Sequence, residues 1–173
     1  FDEIALEAAL QWREAGHIDC VEVVTVGQDE KVLRSALAMG ADSATLIEGE
    51  VDQPLIIAHV LKAFVAQHST VKGVIMGKQA IDDDCGQVGP MLAGLLGWPQ
   101  ATCAAAVRWL NDRAVEVDQE DDYGQKQITL SSPWVITTDL RLATPRFPNV
   151  MALMQAQQAS IHRCALSDFE CPQ

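Results

Sequence analysis

Aromatic side chains are scarce: four Trp, four Phe and one Tyr make up 5% of 173 residues. A core of any size must therefore be built from aliphatic side chains and alanine. Basic residues are scarce too. Twelve Lys and Arg face 24 Asp and Glu, for a net charge of -12. Nucleic acid is excluded as a partner by that balance, because phosphate binding needs clustered cations. Anionic membrane surfaces are disfavoured for the same reason. A basic protein partner or subunit fits better. No CxxC pair occurs among Cys20, Cys85, Cys103, Cys164 and Cys171, so zinc spacing is missing. The cysteines read as reduced thiols of a cytoplasmic-type compartment. No apolar run reaches membrane-spanning length, and no signal peptide is visible. An initiator methionine is also missing: the chain opens on FDEIALEAAL, and a segment upstream of Phe1 is expected.

Sequence motifs with a fixed chemistry are missing as well. Gly77-Lys78-Gln79 is not a P-loop, since no glycine precedes it at the required spacing and no Ser or Thr follows the lysine. There is no GxGxxG after the first strand and no GxSxG elbow. His17, His59, His68 and His162 lie far apart and read as surface or capping residues. No nucleophile with its base can be assembled.

What is present is an alternation. Residues 2–15 carry apolar side chains at helical spacing, with Gly16 after the end. CVEVVTVG (20–27) reads as a strand, DEKVLRSALAMG (29–40) as a helix and SATLIE (43–48) as a strand. QPLIIAHVLKAFVAQ (53–67) is the third helix and VKGVIMG (71–77) the third strand. QVGPMLAGLLG (87–97) begins a fourth helix, with Pro90 tolerable only in its first turn. ATCAAAVRWL (101–110) is a further strand. This is the pattern of a mostly parallel sheet with helices on both faces, an α/β fold. The pattern then changes. Residues 113–119 and 125–130 form an antiparallel hairpin through the turn EDDYG, an insertion in one domain and not a second domain. PWVITTDL returns as a strand, TPRFPN is a loop, and NVMALMQAQQ is a final helix. The domain is placed at 1–158, and 159–173 has no clear period.

The stretch VIMGKQAIDDDCGQVGP (74–90) is the most pointed. In open parallel sheets ligands sit outside the carboxyl ends of strands, and Gly27 and Gly77 mark two such ends. From Gly77 the chain runs through a glycine-rich turn into a helix N-terminus, where N–H groups and the helix dipole favour phosphate. Asp82, Asp83 and Asp84 repel phosphate. They could hold Mg²⁺ beside it, shape the loop by bonding backbone N–H groups, or mark an acidic surface turn with no ligand. Composition and pattern stop at an α/β domain with a nucleotide-binding candidate loop.

Three segments together carry a resemblance. GKQAIDDDCGQVGPMLAGLLGWPQAT, VLRSALAMGADSATLI and VITTDLRLATPRFPNVM are collinear with the small (beta) subunit of electron-transfer flavoproteins, and FDEIALEAAL is similar to the segment after that family's Asn-Pro. The match runs from residue 1 to about 158. It implies an adenine-nucleotide α-hydrolase-like fold and a heterodimer. A large (alpha) subunit holds the FAD, and the small one holds a structural AMP. The pair accepts electrons from flavin dehydrogenases and passes them to a quinone reductase, as a carrier rather than an enzyme, in the bacterial cytoplasm or mitochondrial matrix. Carried over by position, the AMP site uses Phe1, Asp2, Val26, Gly77, Lys78, Gln79, Asp82, Asp83, Asp84, Cys85, Gly86, Gln87 and Val88. Backbone N–H groups near Gly86, Gln87 and Val88 hold the phosphate, and no residue has a catalytic role.

Four departures qualify the resemblance. The family's Asn-Gln-Thr-Gly is Gly86-Gln87-Val88-Gly89 here. Gln87 to Pro90 resembles the electron-bifurcating group, which binds a second FAD, but Asp83 replaces that group's glycine and would crowd a diphosphate. AMP is favoured over a second FAD. The loop between Arg146 and Pro148 lacks three residues, including a leucine that anchors partner dehydrogenases. MALMQAQQA replaces a lysine-rich stretch, which puts the usual docking mode in question. The family's first strand, near the centre of the sheet, is expected upstream. A non-redox nucleotide-binding domain of the same fold is the competing reading. Arg141 and Arg146 belong either to salt bridges or to a surface near the partner subunit and flavin. Trp98 and Trp134 read as core or interface residues, and Cys85 as a small packed residue.

Overall fold

A computed structural model describes residues 1–79 and 86–169. The elements run α1 (Asp2–Glu14), β1 (Glu22–Gly27), α2 (Lys31–Met39), β2 (Ser43–Glu48), α3 (Pro54–Ala66), β3 (Gly73–Gly77), α4 (Val88–Leu96), β4 (Gln100–Trp109), β5 (Ala114–Asp121), β6 (Gly124–Ser131), β7 (Trp134–Thr138), α5 (Val150–Gln158) and β8 (His162–Ala165). A short 3₁₀ turn, Leu166–Asp168, follows.

The strands form two sheets. One is wholly parallel, in the order β1-β2-β8. The other runs β3-β7-β4-β5-β6, parallel from β3 through β7 to β4 and antiparallel from β4 to β6. The fold is therefore α/β, as the alternation predicts. Among the described residues no ladder joins β1 to β3; these two strands lie in different sheets.

Helices join what the ladders do not. On one face, α1 sends Ala8 and Trp12 into a cluster with Trp134 and Ile136 of β7, and Leu6, Ala9 and Leu10 into a second with Val21, Ala36 and Met39. Ile75 of β3 packs against both clusters. On the opposite face, Ala58 of α3 packs with Leu92, Ala93 and Val135, while Val60 and Phe64 pack with Ile47. Strand neighbours alternate accordingly: Leu46 joins Leu33 of α2, and Ile47 joins α3. That alternation is the period of two along a strand covered on both sides. Each fully buried Leu or Ile contributes about 1.5–3 kcal/mol through the apolar area it removes from water.

The few aromatics are concentrated. Trp12, Trp109 and Trp134 meet edge to face, with centroids 5.8 to 6.2 Å apart. His17 stacks on Trp109 at 5.2 Å. Trp134 is thus a core residue, and Trp98 packs half-buried beside α4.

The hairpin extends beyond its expected limits. β5 and β6 pair from Ala114↔Ser131 to Asp121↔Gly124, leaving Asp122 and Tyr123 as the connection. Residues 162–165, in the stretch without a clear period, form β8, parallel to β2. Four residues are too few to show a period, and β8 owes its place to pairing with β2.

Candidate functional site

β3 delivers its last residue, Gly77, to the start of α1. The Gly77 N–H donates to the Asp2 carboxylate at 2.8 Å. A Cβ on Gly77 would lie 2.6 Å from Phe1 Cβ and 3.0 Å from the Asp2 nitrogen, so only glycine allows this approach. Thr138, fully buried at the end of β7, donates through its hydroxyl to the Phe1 carbonyl at 3.4 Å. That carbonyl also receives the Ile4 and Ala5 N–H groups. The start of α1 is therefore fastened to the carboxyl ends of two parallel strands.

Lys78 comes next. Its ammonium lies 3.3 Å from Asp139 Oδ2 and 5.0 Å from the centre of the Phe1 ring. Lys78 and Asp139 side chains are 27% and 16% exposed, so this pair is partly shielded from water. Asp139 carries more than one cation, since Arg141 Nε stands 3.8 Å away and the Arg141 N–H donates to it at 3.3 Å. Arg141 also pairs with Glu120 of the hairpin. A line of alternating charge thus runs from the end of β3 to β5.

The other end of the loop returns to the same place. Gly86 adopts φ +59°, and a Cβ there would lie 3.1 Å from the Lys78 carbonyl oxygen. Gln87 is the N-cap of α4, and among the described residues no side chain caps that helix. The first N–H groups of a helix have no partner within it, which leaves those of Val88 and Gly89 directed outward; Pro90 has none to offer. Gly89 seats α4 on the strands: a Cβ would meet Thr137 Cγ2 at 2.4 Å and Met76 Sδ at 3.4 Å.

The structure brings together Phe1, Asp2, Gly77, Lys78 and Gly86, with Gln87 and Val88 one step along the chain. Gln79 is the last described residue before the loop interior. Asp82, Asp83, Asp84 and Cys85 lie outside the described residues. Val26 ends β1 in the other sheet and packs against the cluster of Ile47, Val60 and Phe64. Beyond it, Gly27, Gln28, Gly49, Glu50, Val51 and Asp52 line an open cleft of about 580 Å³. Glu50 and Asp52 make that cleft a poor host for an anion.

Sequence reasoning missed Thr138 and Asp139. Asp139 opens the Asp-Leu-Arg-Leu signature, and its acidic side chain beside Lys78 was the available signal. The bulge opposite was also missed. β4 shifts register against β7 between Ala101 and Ala104, and Cys103 sits inside it at φ +51°, its N–H donating to Thr137 Oγ1 at 3.1 Å.

Arg146 does not reach this site. Its guanidinium binds Glu7 through Nε at 2.8 Å and NH2 at 3.0 Å, and Glu14 through NH1 at 2.6 Å. The Arg146 N–H adds a further bond to Glu7 at 3.1 Å. Salt bridging is the reading the structure supports for this residue. These bonds hold the Glu7 carboxyl below its usual value and push the Arg146 guanidinium up.

A parallel α/β core, a glycine-lined strand end and a loop returning to a free helix N-terminus define a nucleotide-binding class of α/β protein. Comparison with known proteins makes this specific. The family described as Electron transfer flavoprotein domain matches residues 1–169. A relative in Saccharomyces cerevisiae, a probable electron transfer flavoprotein subunit beta, is 45% identical over 98% of this chain and 67% of its own length. The mitochondrial subunit beta of Oryza sativa subsp. indica is 46% identical over 98% of this chain and 69% of its own. The subunit beta of Bradyrhizobium diazoefficiens is 41% identical over 98% and 68%. The chain belongs to the electron transfer flavoprotein family, and these relatives are beta subunits. An alpha subunit follows as its partner. Among the described residues no helix is long and apolar enough to cross a membrane.

Proposed function

We propose that this chain is the small subunit of a heterodimeric electron carrier and that it binds a structural AMP between the end of β3 and the start of α4. One observation carries the reading: Gly86 returns against the Lys78 carbonyl, so the loop closes beside the uncapped first turn of α4. The residues present fit a nucleotide. The N–H groups of Gln87, Val88 and Gly89 supply donors for phosphate, and the dipole of α4 adds its positive end. Phe1 and Gly77 offer an apolar, close-approach surface to the nucleoside. Lys78, paired with Asp139, lends little net charge to the phosphate. AMP supplies no redox chemistry; it would tie α1, β3 and α4 together.

FAD is then held mainly by the alpha subunit, and it carries the electrons from flavin dehydrogenases toward a quinone reductase. The surface offered to a redox partner is α5 and its approach. Phe147 is 97% exposed, and Val150, Met151 and Met154 are each more than 60% exposed. An apolar patch of this kind suits transient docking, which electron transfer requires and which buries little area. The compartment is the bacterial cytoplasm or the mitochondrial matrix.

The test is to co-express the chain with its large subunit, denature the purified complex, and identify the released nucleotides by chromatography and mass. One FAD and one AMP per heterodimer is the expected result. Two FAD and no AMP would move the chain to the bifurcating type and turn attention to Gln87 through Pro90. FAD without any second nucleotide would overturn the cradle.

A further inference from the structure

Helix α5 is nine residues long and carries no charged side chain. A helix this short is marginal by itself, and only Ala156 is buried along it. Its start is capped from within: Asn149 Oδ1 accepts the Ala152 N–H at 2.8 Å. Its end has no such device. The C-cap, Ala159, is extended (φ -68°, ψ 145°), and no glycine or basic residue stands in the last turn. The terminal carbonyls of a helix need donors from elsewhere.

They receive them from Arg34. This arginine lies on α2, more than one hundred residues earlier, and its NH1 donates to the Ala156 carbonyl at 2.8 Å and also to the Ala159 carbonyl. Its cationic head thereby meets the negative end of the α5 dipole. The guanidinium is itself fixed, since Glu30 stands 3.5 Å from NH2 one turn earlier on α2. Glu30 also pairs with Arg163 of β8, and Arg163 reaches Glu48 at 2.5 Å. The turn from α5 into β8 is thus stapled to α2 and to the parallel sheet through a single line of charges.

We propose that Arg34 is a positioning residue for electron transfer. It supplies in trans the C-terminal cap that α5 lacks, and so fixes the orientation of the exposed Val150, Met151 and Met154 face. The inference rests on the reading that this face meets the redox partner. Arg34 touches neither partner nor flavin in this account; it acts through α5.

The experiment uses the co-expressed heterodimer carrying Arg34→Gln. Three quantities are measured: hydrogen exchange of the peptide spanning 150–158, nucleotide and flavin content, and KM and kcat with a purified, substrate-reduced flavin dehydrogenase as electron donor and the heterodimer as the varied acceptor. Met151→Asp, on the outer face of α5, is measured beside it. The expected result is faster exchange in α5 and a several-fold rise in KM, with kcat and nucleotide content unchanged. Arg34→Lys should recover part of the loss, because an ammonium also donates to carbonyls; it carries the test if Arg34→Gln fails to fold. Unchanged exchange in α5 would overturn the cap. Faster exchange with unchanged KM, while Met151→Asp raises KM, would overturn the positioning role. If Met151→Asp leaves KM unchanged, the docking reading itself falls, and with it the role assigned to Arg34 in electron transfer.

Discussion

Glu7 sits between Leu6 and Ala8 on the buried side of α1, with its side chain 5% exposed. A carboxylate there is costly unless every oxygen is engaged. Arg146 engages both oxygens, and Gln11 adds a bond at 3.0 Å. Replacing Arg146 with alanine leaves a buried charge without its partner. Breaking a fully buried pair costs about 3–5 kcal/mol. Arg146 still reaches water, so Arg146→Ala should cost on the order of 2 kcal/mol, read as a lower urea midpoint at pH 7. The pairing has a pH signature. Arg146 holds the Glu7 carboxyl below 4.5, its ordinary value. Its contribution is therefore present above that value and is lost as pH falls through the lowered one. The midpoint difference between the wild type and Glu7→Gln should shrink between pH 7 and pH 3. A difference that stays constant would mean the pair adds nothing. The sequence held both readings of Arg146 open, because nothing in a linear chain places residue 146 beside residue 7. The extended ladder Arg108–Asp118, by contrast, is an exposed cross-strand pair whose carboxyl is held down to about 2. Surface pairs of that kind contribute little.

Two glycines of α4 separate what a helix loses from what its seat requires. Gly94 faces open space; a Cβ there meets nothing within 4 Å. Glycine inside a helix costs roughly 0.5–1 kcal/mol relative to alanine, so Gly94→Ala should stabilise by about that amount. Gly89 lies five residues earlier, and a Cβ would stand 2.4 Å from Thr137 Cγ2 of β7. Overpacking of that order costs about 1–3 kcal/mol, so Gly89→Ala should destabilise. Paired thermal melts decide the matter: equal effects from both substitutions would mean that α4 is not seated as described. The strands and helices of the alternating half were legible because their periods and their glycine stops agree. β8 was not, because a short strand on a sheet edge takes its form from the neighbour it pairs with. The bulge at Cys103 was not either, since ATCAAAV alternates no differently from a regular strand. The site loop was legible at both ends, Gly77 and Gly86, and what fastens them was not: the contacts from Thr138 and Asp139 join residues some sixty positions apart in sequence.

At the scale of the whole molecule, charge dominates. Each of the twelve basic side chains can neutralise at most one of the 24 acidic ones, so a surplus of twelve negative charges remains however the pairs are arranged. That surplus repels itself more in the compact state than in an extended chain. Salt acts on two terms of opposite sign. It weakens exposed pairs such as Arg163–Glu48 and Arg108–Asp118. It also screens the surplus, and that repulsion acts over distances longer than a single pair. The Debye length falls from about 30 Å at 0.01 M to about 8 Å at 0.15 M, which removes long-range repulsion while contacts near 3 Å lose much less. The melting temperature should therefore rise as sodium chloride increases over that range. A fall would mean that the paired charges outweigh the surplus. The same field bears on assembly. A subunit this acidic attracts a partner with a basic face, and such attraction speeds encounter more than it tightens the complex. Association with the large subunit should then slow with added salt over the same range in which the isolated chain grows more stable. Stopped-flow mixing of the separated subunits at 0.01 M and 0.15 M salt measures it. A salt-independent rate would place the interface on a part of the surface where the net charge is not felt.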